Sequence, residues 1–163
     1  MSSKIKVGDR APTFRLPDQG GNVVDLAERI ERGPVVLYFY PKDFTTGCTM
    51  EAHEFREMYE EFQRRGADVI GVSSDDVDTH RRFADEHELP FTLLSDADDQ
   101  AREMYGAWSA LGTPDRVTYL IDQQGVVRMV FSSQMQPRKH APEAMRALEE
   151  VLAERTVMSA KSS

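Results

Sequence analysis

The 163-residue chain contains one cysteine, Cys48. It stands in the stretch Tyr38-Phe39-Tyr40-Pro41-Lys42-Asp43-Phe44-Thr45-Thr46-Gly47-Cys48-Thr49-Met50-Glu51. An apolar run breaks there at a proline, crosses a short polar loop and enters an amphipathic helical pattern. A thiol at a helix start sees unpaired backbone N–H groups and the positive end of the helix dipole, which favour thiolate over thiol. Thiolate is the nucleophilic form, so the position suits a reactive cysteine better than a buried one serving as a small hydrophobe. Pro41 fixes the backbone leaving the strand and has no N–H, so it can shield a thiolate without competing for its charge. Thr45 places a hydroxyl three residues before the sulfur. The amides of Gly47 and Cys48 would offer donors to a negative oxygen developing on a small electrophile. A cation would complete the arrangement, but spacing alone leaves many candidates for it.

Other chemistries are set aside by spacing. The chain has no phosphate-binding glycine loop and no G-x-S-x-G elbow. A lone cysteine without a C-x-x-C partner excludes a zinc ribbon and a self-contained dithiol oxidoreductase. His53, His80, His87 and His140 include no i, i+4 pair, and His87-Glu88 lacks the second histidine of H-E-x-x-H. They read as scattered surface histidines. Asp96-x-Asp98-Asp99 fails as a calcium loop, because Ala101 and Ala107 stand where glycine and glutamate are required, so it reads as a helix cap. Neither a metal nor a cofactor is expected.

The elements that must position the thiol follow from periodicity. Phe14 and Leu16 alternate with polar neighbours, and Pro17-Asp18-Gln19-Gly20-Gly21-Asn22 supplies a turn before Val23-Val24, which predicts an N-terminal hairpin. A short helical turn over Leu26 to Ile30 is closed by Gly33-Pro34. Val35 to Tyr40 is continuously apolar and too short for a helix, so it reads as a central strand buried on both faces. The helix opening at Cys48 runs to about Arg65 and stops at Gly66, with Ala52, Phe55, Tyr59 and Phe62 as its buried stripe. Strands are expected at 68–73, 91–94, 117–121 and 126–131, the last two joined by the turn Asp122-Gln123-Gln124-Gly125. Helices are expected over 76–88, from Ser95-Asp96 to Tyr105-Gly106, and from Pro142 onward with Met145, Leu148, Val151 and Leu152 facing the core. Residues 156–163 read as a frayed tail. The alternation predicts one α/β domain over 1–163, a central mixed sheet flanked by helices.

With 28 Asp and Glu against 20 Lys and Arg, net charge −8, the chain is a poor partner for nucleic acid or an anionic membrane. A single cysteine forms no internal disulfide, and no run resembles a signal peptide or a membrane span, so a cytoplasmic protein is expected.

Pro41-x-x-x-Thr45-x-x-Cys48 resembles the active-site motif of the peroxiredoxins, and YFYPKDFTTGCTMEAHEFRE is similar to the peroxiredoxin Q branch, also called bacterioferritin comigratory protein. The likeness extends from Gly8-Asp9-Arg10-Ala11-Pro12-Thr13-Phe14 through Gly71-Val72-Ser73 to Tyr105-Gly106-Ala107-Trp108 and Arg116-Val117-Thr118-Tyr119-Leu120-Ile121-Asp122. The resemblance implies a thioredoxin-like fold with Cys48 as peroxidatic cysteine. By it, Thr45 and Arg116 would hold the peroxide oxygens, Pro41 would shield the thiolate and Glu51 would orient Arg116. Two departures stand out. Thr46 occupies a position where the family usually has proline, and His53 the position of the resolving cysteine that many members carry. His53 lies roughly 140° around the helix from Cys48 and reads as a solvated or packed side chain.

The expected activity is a thiol-dependent peroxidase acting on hydrogen peroxide or an organic hydroperoxide. Its sulfenic acid would be resolved by an external thiol such as thioredoxin, glutaredoxin or a low-molecular-weight thiol, in a monomer or a homodimer. The rival expectations are a redox sensor acting through a mixed disulfide at Cys48 and a thioredoxin-fold interaction protein without redox chemistry.

Overall fold

The computed structural model describes residues 4–162. The chain enters through a hairpin of β1 (Arg15–Pro17) and β2 (Val23–Asp25), paired antiparallel with Leu16 opposite Val24. Its turn is closed by the Asp18 carboxylate, which accepts from the amides of Gly20 and Asn22. Asp25 then caps α1 (Leu26–Arg32) by accepting from the amide of Ala27, and β3 (Val35–Phe39) follows. After the Pro41 loop come α2 (Thr46–Arg64), β4 (Asp68–Ser73), α3 (Val77–Glu86), β5 (Thr92–Ser95) and α4 (Gln100–Tyr105). A second hairpin, β6 (Val117–Ile121) and β7 (Val127–Ser132), leads through a 3-10 turn at Pro137–Lys139 into α5 (His140–Ser162).

The five-stranded sheet has the order β5-β4-β3-β6-β7. The helical crossovers α2 and α3 make β3, β4 and β5 parallel, whereas the tight turn after Ile121 makes β6 and β7 antiparallel. This is the mixed sheet and N-terminal hairpin of a thioredoxin-like fold. Strand β3 is buried on both faces and divides the core in two. Val36, Tyr38 and Tyr40 point to a cluster shared with Phe55 and Phe62 of α2, Phe83 of α3 and Leu148 and Val151 of α5. Val35, Leu37 and Phe39 point the other way, against Leu16, Leu26, Ile30 and Tyr105 from the hairpin, α1 and α4.

The pairing of β3 with β6 positions the site. Their antiparallel register sets Phe39 opposite Val117. The end of β3, where the thiol loop departs, is thereby brought beside the start of β6, where Arg116 stands.

Several local expectations are refined. Helix α2 begins at Thr46, so Cys48 lies within its first turn instead of opening it. Among the acidic residues ahead of α4, the cap is Asp96, whose two oxygens accept from the amides of Ala101 and Arg102, while Asp99 is left-handed and caps nothing. Helix α5 starts at His140, two residues before Pro142, because Pro142 within the first turn lacks only an N–H that the helix does not use there. The tail expected to fray from Thr156 continues α5 to Ser162, with no glycine or proline to stop it and the Thr156 hydroxyl donating to Leu152 O. Position 163 lies outside the described residues.

Candidate active site

The loop between β3 and α2 is held from beneath. Tyr40 donates its hydroxyl to Asp43 Oδ1 at 2.5 Å, and Asp43 Oδ2 lies 2.5 Å from His80 Nδ1. His80 Nε2 donates to Leu94 O at 2.9 Å, and the Asp43 amide donates to Asp75 Oδ2 at 2.8 Å. Asp43 and His80 are buried. Asp43, Asp75 and His80 bring atoms within 4.8 Å of one another, a spacing that suits a cation, but each is already engaged in fastening the loop to β4, α3 and β5. The reading of scattered surface histidines is overturned for His80 and equally for His140, both completely buried. His53 and His87, half-buried, share a hydrogen bond of 3.0 Å between α2 and the end of α3. Only the fold brings these side chains to their partners, which is why spacing along the chain gave no sign of them.

Arg102 performs a second fastening that no motif signalled. Its guanidinium, buried in α4, donates to Tyr40 O at 2.7 Å, Ala107 O at 3.0 Å and Asp115 O at 2.9 Å. Those carbonyls belong to the residue before Pro41, the end of the α4 turn and the residue before Arg116. One cation thus ties together the two backbone segments that carry the site. Phe39 and Trp108 flank it at 5.5 and 5.8 Å.

On this base the residues singled out from the sequence converge, with one qualification. Cys48 is buried, and its Sγ receives Arg116 Nη1 at 3.4 Å across 68 residues of sequence. The same Nη1 donates to Glu51 Oε1 at 2.7 Å, and Glu51 is completely buried one helical turn beyond the thiol. Gly47 forms the floor beneath the guanidinium, since a Cβ built there would stand 2.9 Å from Arg116 Nη2. Thr45 is the N-cap of α2, and the first i→i−4 bond runs from the Thr49 amide to Thr45 O, so the amides of Gly47 and Cys48 precede the bonded ladder. Pro41, half-buried, follows β3 directly. The qualification concerns Thr45, which is exposed and donates its hydroxyl to Lys42 O at 2.8 Å.

The electrostatics follow from this burial. Loss of solvation pushes the Glu51 carboxyl up to about 8, against the opposing pull of Arg116. Burial pushes His140 down to about 4, so its ring is neutral near pH 7. The Cys48 thiol is enclosed with the Arg116 guanidinium at the amide end of α2, which sets a positive charge and unpaired backbone donors beside the sulfur. The sequence holds no second cysteine, so Cys48 has no thiol partner within the 163 residues.

The comparisons with known proteins agree. The AhpC/TSA family model matches residues 7–130. The chain is 44% identical over 149 residues to the chloroplastic peroxiredoxin Q of Populus jackii, covering 90% of this chain and 70% of that one. Among solved structures, peroxidoxin BcpB of Mycobacterium tuberculosis superposes with a TM-score of 0.84 at 37% identity, covering 90% of this chain and 98% of that chain. The bacterioferritin comigratory protein of Xanthomonas campestris gives 0.74 at 29% identity, over 86% and 91%. Fold and site define a thioredoxin-like, cysteine-dependent peroxidase. The chain belongs to the AhpC/TSA family, within its peroxiredoxin Q branch, and is an oxidoreductase that takes a peroxide as substrate and a thiol as reductant.

Proposed function

We propose that Cys48 is the peroxidatic nucleophile and that Arg116, Thr45 and Pro41 shape its pocket, with Glu51 and Gly47 setting the guanidinium. The observation that carries this reading is the shared contact of Arg116 Nη1, 3.4 Å from Cys48 Sγ and 2.7 Å from Glu51 Oε1. The Cys48 thiolate attacks the terminal peroxide oxygen. The S–O bond forms as the O–O bond breaks, and the leaving oxygen takes a proton to become water or an alcohol. Sulfur is oxidised to sulfenic acid while the peroxide is reduced. Arg116 and the amides at the head of α2 stabilise the departing negative oxygen. Thr45 joins them by turning its hydroxyl from Lys42 O toward the bound peroxide, and Pro41 keeps the rim free of a competing donor.

Resolution falls to an external thiol, because the 163 residues hold no second cysteine. That thiol forms a mixed disulfide with Cys48 and releases water, and a second thiol then frees the enzyme. Thioredoxin, glutaredoxin and a low-molecular-weight thiol each fit this scheme, as do a monomer and a homodimer. The related Xanthomonas structure is described as reducing alkyl peroxides, which supports organic hydroperoxides as substrates beside hydrogen peroxide. A reducing cytoplasm suits a lone, unpaired thiol.

The test is turnover. Peroxide consumption is expected to continue over many cycles only with added thiol and to vanish in Cys48→Ser. Reaction once per thiol, with no cycling under any of the three reductants, would favour the sensor reading instead.

A further inference from the structure

Thr118, Ser133 and His140 meet beside the site without taking part in the chemistry described so far. Strand β7 ends at Ser132, opposite Val117, so its ladder with β6 stops just short of Arg116 and Ser133. Residues 132–134 nevertheless clasp 114–116. The Ser133 amide donates to Arg116 O at 3.2 Å, the Ser132 hydroxyl to Asp115 Oδ2 at 2.9 Å and the Gln134 side-chain amide to Pro114 O at 3.0 Å. The chain then turns away through Pro137–Lys139, and what returns to hold Ser133 is His140, the completely buried first residue of α5. Its Nε2 lies 2.9 Å from Ser133 O and its Nδ1 2.8 Å from the Thr118 hydroxyl. A carbonyl can only accept, so Nε2 carries the proton. Burial keeps the ring neutral near pH 7, which leaves Nδ1 a lone pair for the Thr118 hydroxyl. Both ring nitrogens are thereby satisfied, and Glu51 Oε2, 3.4 Å from Nδ1, takes nothing from the ring.

We propose that His140 is a positioning residue of the peroxidase: held between Thr118 and Ser133, it pins Ser133 and thereby the backbone that presents Arg116 to Cys48. The proposal rests on the pairing of Arg116 with Cys48 described above and adds the means by which the guanidinium keeps its place. Arg116 stands just before β6, and its long side chain must arrive 3.4 Å from Cys48 Sγ and 2.7 Å from Glu51 Oε1 at once. A small turn of its backbone is magnified at the far end of that side chain. On the amide side Arg116 is held by Asp115, whose Oδ1 accepts from its N–H at 2.9 Å and whose own carbonyl is held by Arg102. On the carbonyl side it is held by the Ser133 amide. His140 joins three pieces of chain at that point: β6 through Thr118, the end of β7 through Ser133, and α5, which it opens. Phe131 packs edge-on against its ring, 4.7 Å between centroids, and keeps it from turning aside. Without the Nε2 donor, Ser133 O would be a buried acceptor with its hydrogen bond lost, and the segment clasping Arg116 would shift to satisfy it.

The test is a double-mutant cycle on the single-turnover reaction with hydrogen peroxide. His140→Leu fills similar space but offers Ser133 O no donor and Thr118 no acceptor. Its rate constant is expected to fall about tenfold, less than the ~100-fold that a full misplacement of roughly 1 Å costs. In His140→Gln, whose amide supplies both an N–H and an acceptor oxygen, most of that rate is expected to return. In an Arg116→Ala background, His140→Leu is expected to cost no further rate, because the group it positions is gone. A merely structural role would cut the rate by the same factor with and without Arg116. A wild-type rate in His140→Leu, or a loss that persists undiminished in Arg116→Ala, overturns the proposal. If Arg116→Ala by itself leaves the rate unchanged, the reading of Arg116 fails first and the positioning role falls with it. Should His140→Leu not fold, imidazole nitrogen-15 spectra of the wild-type chain decide the matter. A neutral His140 ring with a slowly exchanging proton on Nε2 supports the proposal. A proton on Nδ1 instead, or one in rapid exchange with water, refutes it.

Discussion

At the scale of single residues, the proposed site turns on one guanidinium, 3.4 Å from Cys48 Sγ and 2.7 Å from Glu51 Oε1, and two substitutions probe it from opposite sides. Arg116→Ala removes a charge-assisted donor from Cys48 and the partner of buried Glu51. The peroxide rate constant is expected to fall at least ~100-fold, the loss typical of a donor of this kind. Stopped-flow measurement under single-turnover conditions checks it. Gly47→Ala leaves Arg116 in the chain but sets a Cβ 2.9 Å from its Nη2. The atom displaced is the end of a flexible side chain, and alanine suits a helix better than glycine by roughly 1 kcal/mol, so the fold is not weakened. The rate constant is nevertheless expected to drop ~10-fold or more, with Tm unchanged or raised. An equal loss of stability and activity would mean that Gly47 serves the backbone and not the guanidinium.

At the scale of elements, Arg102 fastens three backbone segments, two of which carry the site. Its contacts with Tyr40 O, Ala107 O and Asp115 O join the exit of β3 to the entry of β6 from within α4. Arg102→Met fills similar space and strands three buried acceptors. It is expected to cost about 3 kcal/mol, seen as a fall in Tm of roughly 10 °C. The peroxide rate is expected to suffer as well, although Arg102 touches neither Cys48 nor Arg116 through its side chain. An unaltered rate in the folded variant would show that β3 and β6 hold their register without it. Asp43 and His80 work in the same way on the loop, fixing its path through a buried contact between residues 37 positions apart.

At the scale of the whole molecule, Glu51 and His140 give stability a defined dependence on pH. Glu51 moves from 4.5 to about 8 on folding, so the folded chain retains a proton that the unfolded chain has lost. Its contribution is complete below 4.5 and drains away as pH rises to about 8. His140 moves from 6.5 to about 4, so its contribution is complete above 6.5 and is lost as pH falls to about 4. Between 4.5 and 6.5 the two trends oppose each other, and above 6.5 only that of Glu51 remains. Stability is therefore expected to decline between pH 6.5 and about 8, by roughly 2 kcal/mol. Urea titrations at a series of pH values measure it, and Glu51→Gln is expected to flatten that limb. A wild-type curve parallel to the Glu51→Gln curve would contradict the assignment.

The amino-acid sequence by itself determined the elements and the single thiol among them. The apolar run at Val35–Tyr40, the stripe of Ala52, Phe55 and Phe62, and the single cysteine between Gly47 and Thr49 are local facts, and local patterns set secondary structure and the chemistry of a side chain. Arg116 was legible only through its resemblance to a family motif, since no spacing rule links it to Cys48. His80, Arg102 and His140 carry no signal in the sequence because their partners lie elsewhere in the fold: Asp43, the carbonyls of Tyr40 and Asp115, and Thr118 with Ser133. Burial and hydrogen bonding of a polar side chain are properties of what surrounds it, and those surroundings exist only once β3 has paired with β6 and α5 has closed over them.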